Sequence, residues 1–195
     1  MTRKQKDDEM KKITVALLVV AAAMLQAQEF RFGAQATLAI PFGDIAQKEF
    51  LNHRPALSLG VHGLWNFHPR HVFVPRIDIT YYKRNTDSNN LIPFQDAVTL
   101  RDLKIGVDYN LVTKFDGLYG IAGINYSTLN WALPHPSRDE LWRESKNTLG
   151  FSLGAGYPLT NHILAEARYT HASYSGILGM NRTAPAINLS VLWRY

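Results

Sequence analysis

The sequence predicts an all-β fold, an eight-stranded antiparallel up-and-down transmembrane β-barrel. Three observations carry the prediction: a basic-then-apolar leader, period-two alternation of apolar and polar residues through the body, and connections that are long and short by turns.

The leader comes first. Lys11 and Lys12 precede an apolar run, Ile13 to Leu25, that closes on Leu25-Gln26-Ala27 before the polar pair Gln28-Glu29. A basic segment, an apolar segment and a small residue before the cut are the parts of a secretory signal peptide, so residues 1–27 read as removed and residues 28–195 as the barrel domain. The apolar run is shorter than the roughly 20 residues a helix needs to cross a bilayer. Met10-Lys11-Lys12-Ile13 is a more usual start than Met1, which marks residues 1–9 as a mis-assigned extension in this reading. Without the leader, 16 Lys and Arg stand against 13 Asp and Glu, a net charge of +3, so the basic balance does not argue for nucleic acid. The absence of cysteine excludes disulfides, thiolate-bound metal and a lipidated cysteine.

Alternation then defines the strands in order. Phe30, Phe32, Ala34, Ala36, Leu38 and Ile40 alternate with Arg31, Gly33, Gln35 and Thr37; Leu57, Leu59, Val61, Trp65 and Phe67 with Ser58, Gly60, His62 and Asn66. A third strand sets Phe73, Ile77, Ile79 and Tyr81 against Arg76, Asp78 and Thr80. A fourth sets Leu103 to Leu111 against Lys104, Gly106, Asp108 and Asn110. Val98 and Leu100 lie on the opposite parity from Leu103, which suggests a bulge near Arg101-Asp102. The fifth strand, Leu118 to Asn130, carries apolar and small residues on both parities, so its facing is open. Leu149 to Tyr157 and Ile163 to Tyr174 follow, the latter with Glu166, Arg168 and Thr170 on one face. The last strand sets Ile187, Leu189, Val191, Trp193 and Tyr195 against Asn188, Ser190 and Arg194, with Leu192 the exception.

The connections near Pro41–Pro55, Asn85–Asp96, Trp131–Lys146 and Ser175–Thr183 are long, whereas His68–His71, Thr113–Gly117 and Thr160–His162 are short. Long external loops and short periplasmic turns describe bacterial outer-membrane barrels, and they put both termini in the periplasm. A soluble eight-stranded carrier would turn its large apolar residues inward. Here the second faces are rich in Gly, Ser, Thr and charge, and an eight-stranded lumen is just wide enough for side chains to fill. Arg76, Asp78, Lys104, Asp108, Glu166, Arg168 and Arg194 are therefore expected inside as a self-neutralising network. Phe30, Trp65, Phe67, Tyr81, Tyr109, Tyr157, Trp193 and Tyr195 cluster near strand ends, as membrane-interface girdles do.

The closing strand Ala186-Ile187-Asn188-Leu189-Ser190-Val191-Leu192-Trp193-Arg194-Tyr195 and the run Leu118-Tyr119-Gly120-Ile121-Ala122-Gly123-Ile124-Asn125-Tyr126 make the chain resemble the small outer-membrane barrels of the OmpA-transmembrane and OmpX type. The resemblance implies an outer-membrane location among lipid and lipopolysaccharide, and a monomer. It also implies the barrel-assembly machinery as a biosynthetic partner, reading the terminal aromatics Trp193 and Tyr195.

Candidate chemistry is sparse. Arg168-Tyr169-Thr170-His171-Ala172-Ser173 resembles a segment of the lipid A deacylase family, which implies His171 as base and Ser173 as nucleophile on the lipid-facing side. The chain departs from that family in having no Asp or Glu between Glu166 and Tyr195, and Glu166 has the opposite parity to His171. A serine triad without its orienting carboxylate loses much of its rate. Of seven histidines, only His68 and His71 lie close together, with no nearby carboxylate or cysteine, so neither metal nor cofactor is expected. Ser137-Arg138-Asp139-Glu140, followed by Leu141 and Trp142, fits a capping box for a short surface helix. Trp131 and Trp142 are then either partner contacts or interface anchors. Asn85 to Asn90 reads as a polar loop. The functional expectation is a non-enzymatic envelope barrel with a structural or surface-interaction role, ahead of a narrow porin-like channel and of a deacylase-like hydrolase.

Overall fold

The structure, a computed structural model, describes residues 30–47, 51, 54–83, 99–114, 117–134, 141–177 and 180–195. The signal-peptide reading, the polar segment Asn85 to Asn90 and the capping-box residues 137–140 lie outside these. The strands are β1 (Phe30–Pro41), β2 (Ala56–His68), β3 (His71–Lys83), β4 (Thr99–Val112), β5 (Tyr119–Pro134), β6 (Leu141–Pro158), β7 (Ile163–Ile177), β8 (Met180–Thr183) and β9 (Ala186–Arg194). Each sequential pair from β1 to β7 is antiparallel, β9 lies between β7 and β1, and pairing of β6 with β7 closes the ring. Eight strands thus form the barrel, with β8 a short extension of the last hairpin paired to β7. Among the described residues, closure gives each of the eight barrel strands a partner on both sides, which is what lets strands cross hydrocarbon without unpaired backbone groups.

Side-chain facing follows the period of two. Leu57, Leu59, Val61, Ile124, Leu149 and Val191 are exposed on the outer face, and Leu149 retains 76% of its accessible surface. Arg76, Asp108, Glu166 and Arg168 are buried inside. At the end with the short turns, Trp65, Phe67, Phe73 and Tyr109 form a contiguous belt with ring centroids 4.9–6.0 Å apart along it. Trp193 and Tyr195 meet edge-on at 4.5 Å at the same end, and Tyr195 N–H donates to the Phe32 carbonyl at 2.9 Å.

Three expectations are corrected. The pairing of β4 with β3 and β5 runs unbroken from Thr99, so there is no bulge at Arg101-Asp102. Leu100 simply faces inward, where it is buried in an apolar cluster. The connection read as Trp131–Lys146 shortens to residues 135–140, because β5 continues to Pro134 and β6 begins at Leu141. Leu141 and Trp142 are strand residues, and Trp131 is not at an interface but inside, with 6% of its surface exposed. The connection read as Ser175–Thr183 is mostly a hairpin, β7 reaching Ile177 and β8 starting at Met180. The open question of β5 is also resolved: Tyr119, Ile121, Ser127, Leu129 and Trp131 point inward, while Ala122, Ile124 and Tyr126 point outward.

The first external loop turns back into the barrel mouth. A 3-10 turn, Asp44–Ala46, delivers Ile45 and Ala46, and Leu51 follows; all three are buried. Gly43 enters this turn at φ 79°, and a Cβ there would lie 2.8 Å from the Pro185 ring, so both the backbone angle and the space favour glycine. Asp44 fastens the loop to β8: its Oδ2 accepts from the Thr183 amide at 2.9 Å and the Thr183 hydroxyl at 2.8 Å. Those two bonds hold the Asp44 carboxyl below the usual carboxylate range. A lowered folded-state value contributes stability above the ordinary carboxyl range, and that contribution is lost as pH falls through the lowered value. The Thr183 amide resonance is therefore expected to stay constant from neutral pH to below the ordinary Asp range and to shift only further into acid. In Asp44→Asn it should show no such step.

Candidate functional site

The lumen is stacked in layers, and each layer is set by what the inward parity carries at that height. Beneath the first loop, Ile45 and Leu51 pack with Leu100, Leu129, Trp131 and Tyr174 in an apolar plug at the external mouth. The Tyr174 hydroxyl, at the inner side of this plug, bonds to Ser127 Oγ at 2.6 Å. Asp102 Oδ1 accepts from Ser127 Oγ at 2.6 Å and from Tyr174 at 3.3 Å, while its Oδ2 faces Lys104 Nζ at 3.3 Å.

The central layer is an ionic quartet. Arg76 Nη2 donates to Glu166 Oε1 at 2.9 Å and its Nη1 to Gln35 Oε1 at 2.6 Å. Its Nε lies 2.7 Å from Asp108 Oδ2, a close ion contact too bent to count as a hydrogen bond. Arg168 reaches the same carboxylates, Nη1 to Asp108 Oδ2 at 3.2 Å and Nε to Glu166 Oε2 at 3.4 Å. Gln35 Nε2 donates to Asp78, and Ser152 Oγ donates to Asp108 Oδ1 at 2.7 Å. Two cations and two anions alternate around one ring, which is how buried charge is tolerated in so little water. A cavity of about 30 Å3, room for water, lies beside the quartet, bounded by Lys104, Asn125 and Asn188 among others.

Inward glycines make the space for these long side chains. A Cβ on Gly123 would stand 1.9 Å from Asp108 Oδ1, and one on Gly60 would stand 2.1 Å from Asp78 Oδ1. Below the quartet, the Tyr119 hydroxyl donates to Glu166 at 2.9 Å, and its ring joins Ile121, Leu164 and Leu192 in a second apolar layer. The lumen is thus apolar, ionic and apolar again from the external mouth to the periplasmic one.

The predicted interior charges do not all meet. Arg76, Asp108, Glu166 and Arg168 are brought together, with Asp78 joined through Gln35. Lys104 pairs with Asp102 rather than Asp108. Arg194 stands apart at the periplasmic end, its Nε donating to the Asn161 carbonyl at 2.8 Å. Gln35, Asp102 and Tyr119 were not among the sequence candidates, although all three lie on the inward parity of their strands. His62 is also buried inside, with both ring nitrogens unpartnered.

On the outer face, His171 and Ser173 share a parity but not a bond. His171 Nδ1 is paired at 3.2 Å with the Tyr169 hydroxyl, and its ring stacks on Phe151 at 5.3 Å. Ser173 is exposed, and its carbonyl accepts from Thr148 Oγ1 at 2.6 Å. Glu166 is across the wall in the ionic quartet, and no hydrogen bond or ion pair joins His171 to a carboxylate among the described residues. In the turn after β2, His68 Nδ1 accepts from the Arg70 amide at 3.2 Å, and His71 Nδ1 is engaged by the Tyr109 hydroxyl. The described residues hold no group of three or more His, Asp or Glu arranged for a metal ion.

A closed ring of eight strands with an apolar belt outside and an ionic centre inside is an outer-membrane architecture, and residues 13–195 match the outer membrane protein beta-barrel domain family. The chain belongs to that family. It is accordingly an integral outer-membrane β-barrel protein. Solved structures agree on the fold. Neisserial surface protein A aligns with a TM-score of 0.57 at 15% identity, covering 85% of this chain and 97% of that one. The N-terminal β-barrel domain of Pseudomonas aeruginosa OprF gives 0.55 at 12% identity, again over 85% and 97%. Ail, the attachment invasion locus protein of Yersinia pestis, gives 0.54 at 10% identity over the same shares. At such identities these likenesses establish architecture alone. No curated protein matches the chain.

Proposed function

We propose that this outer-membrane barrel is a closed, non-enzymatic scaffold that contributes to envelope integrity or presents its external hairpins to a partner. The observation that carries the reading is the layered lumen: the Trp131–Tyr174 plug above, the Arg76–Glu166 quartet at the centre and the Tyr119–Leu192 layer below stack apolar, ionic and apolar side chains along it. In this account the chain is exported on a leader cleaved after Ala27 and inserted as a monomer by the barrel-assembly machinery. The outward Trp193 and Tyr195 of its last strand serve as the recognised terminus. Lipid and lipopolysaccharide then surround the exposed Leu, Ile and Val of the outer face.

The enzymatic alternative is tested on lipid A. Mass spectra from cells with and without the protein are expected to show the same acylation. Loss of an acyl chain that is restored by Ser173→Ala or His171→Ala would overturn the non-enzymatic reading. Detergent extraction with heat-modifiable gel migration is expected in both variants, since neither residue touches the lumen.

A further inference from the structure

We propose that the periplasmic mouth of the lumen is a binding site for a small phosphate-class oxyanion. Arg31 and Arg194 converge there on one cavity of about 70 Å3, well above the ~10–15 Å3 that a single water occupies. Their strands are in register, Gly33 pairing with Arg194 two residues above Arg31. No Asp or Glu lines the cavity, and neither arginine has a carboxylate partner among the described residues. Two guanidinium groups beside one small space repel each other unless an anion lies between them, and a guanidinium fork fits the oxygens of a phosphate.

A second polar residue lines the same space. Asn110 lines the cavity with only 4% of its surface exposed, and its Oδ1 has no partner. A half-turn of that amide presents its NH2 group to an anion oxygen, since an asparagine offers two donors on one side and an acceptor on the other. The remaining walls include the buried Leu64, Leu164 and Tyr119 ring, while Arg31 is exposed at the rim by which an anion enters. The ionic quartet cannot serve as the counter-charge. Glu166 and Asp108 already satisfy Arg76 and Arg168, and the Tyr119 hydroxyl is committed to Glu166. The arginine backbone is also fixed in place, with Arg194 N–H donating to the His162 carbonyl at 2.9 Å and Nε to Asn161; its two Nη groups remain for a ligand.

The phosphate group has two sources, a free anion entering from the periplasm and the headgroup of a lipid at the barrel rim. The side chains line the lumen, so the free anion is the ligand proposed. The test titrates inorganic phosphate into the full chain refolded in a neutral detergent without phosphate, following the Asn110 side-chain amide by NMR and heat by calorimetry. Saturable binding is expected by about 20 mM phosphate, with Arg31→Gln weaker by about tenfold, one charge-assisted bond pair being worth at least that. The double variant Arg31→Gln/Arg194→Gln should show none. Lys114→Gln changes an exposed residue of the neighbouring turn that does not line the cavity, and it should bind like the parent. Should Arg194→Gln fail to fold through loss of its turn contact, Arg31→Gln decides alone. No response in the parent chain, or an unchanged response in Arg31→Gln, overturns the site. So does a response that requires phosphatidylglycerol in the micelle, because it puts the anion on a lipid outside the lumen.

Discussion

Arg76→Met is expected to destabilise the barrel by about 3–5 kcal/mol, the range for removing one partner of a buried ion pair. Arg76 is the hub of the lumen, touching Glu166, Asp108 and Gln35 at 2.6–2.9 Å. Methionine fills much of its volume but leaves Glu166 and Asp108 sharing Arg168 alone. Urea unfolding in lipid vesicles, followed by tryptophan fluorescence, measures the loss. Glu166→Gln should cost less than Arg76→Met, because it removes one negative charge while keeping a hydrogen-bonding group beside Arg76 and Tyr119. In the double variant the two losses should fall well short of adding, as they do for residues in one network. Full additivity would mean the quartet is not a unit.

The second large effect is steric. Gly123→Val is expected to cost about 2–4 kcal/mol, from overpacking of a filled interior combined with displacement of a satisfied carboxylate. The new Cβ would sit 1.9 Å from Asp108 Oδ1 and 2.7 Å from Ser152 Oγ, so the ion contacts of Asp108 to both arginines must give way. Gly120 is the control within the same strand. A Cβ there meets nothing within 4 Å, and Gly120→Ala should change stability by no more than about 0.5 kcal/mol, as surface substitutions do. The same two unfolding curves check both statements.

Alternation made the outer face legible, because hydrocarbon demands apolar side chains at every outward position and the lumen of these strands is polar at most heights. It failed where the lumen is itself apolar. Leu100, Leu129 and Trp131 belong to the external plug, and Ile121, Leu164 and Leu192 to the periplasmic layer. For that reason Leu100 suggests a bulge in β4, Ile121 and Leu129 leave the facing of β5 open, and Leu192 reads as an exception. Parity also assigns a face without assigning a height. Parity therefore leaves unread that Arg194 lies at the periplasmic end, away from the quartet, and that Lys104 pairs with Asp102. Pairs such as Arg76 with Glu166 depend on barrel closure across 90 residues of sequence, which no local pattern encodes. The inward turn of the first loop has a local trace only in Gly43-Asp44, and its anchor, Thr183, is 139 residues away. The candidate oxyanion site was invisible for the same reason: Arg31 and Arg194 sit at opposite ends of the barrel sequence and become neighbours only when β1 pairs with β9.

The central claim is a lumen blocked by an apolar layer on either side of an ionic centre, and single-channel recording in planar bilayers tests it most directly. The purified full chain is expected to leave the bilayer at baseline conductance. Deletion of residues 42–55, which removes Ile45 and Leu51 but keeps the Arg76–Glu166 quartet, should still give no stable open level. A persistent, ohmic open state in the intact chain would contradict the closed lumen and make the protein a narrow channel.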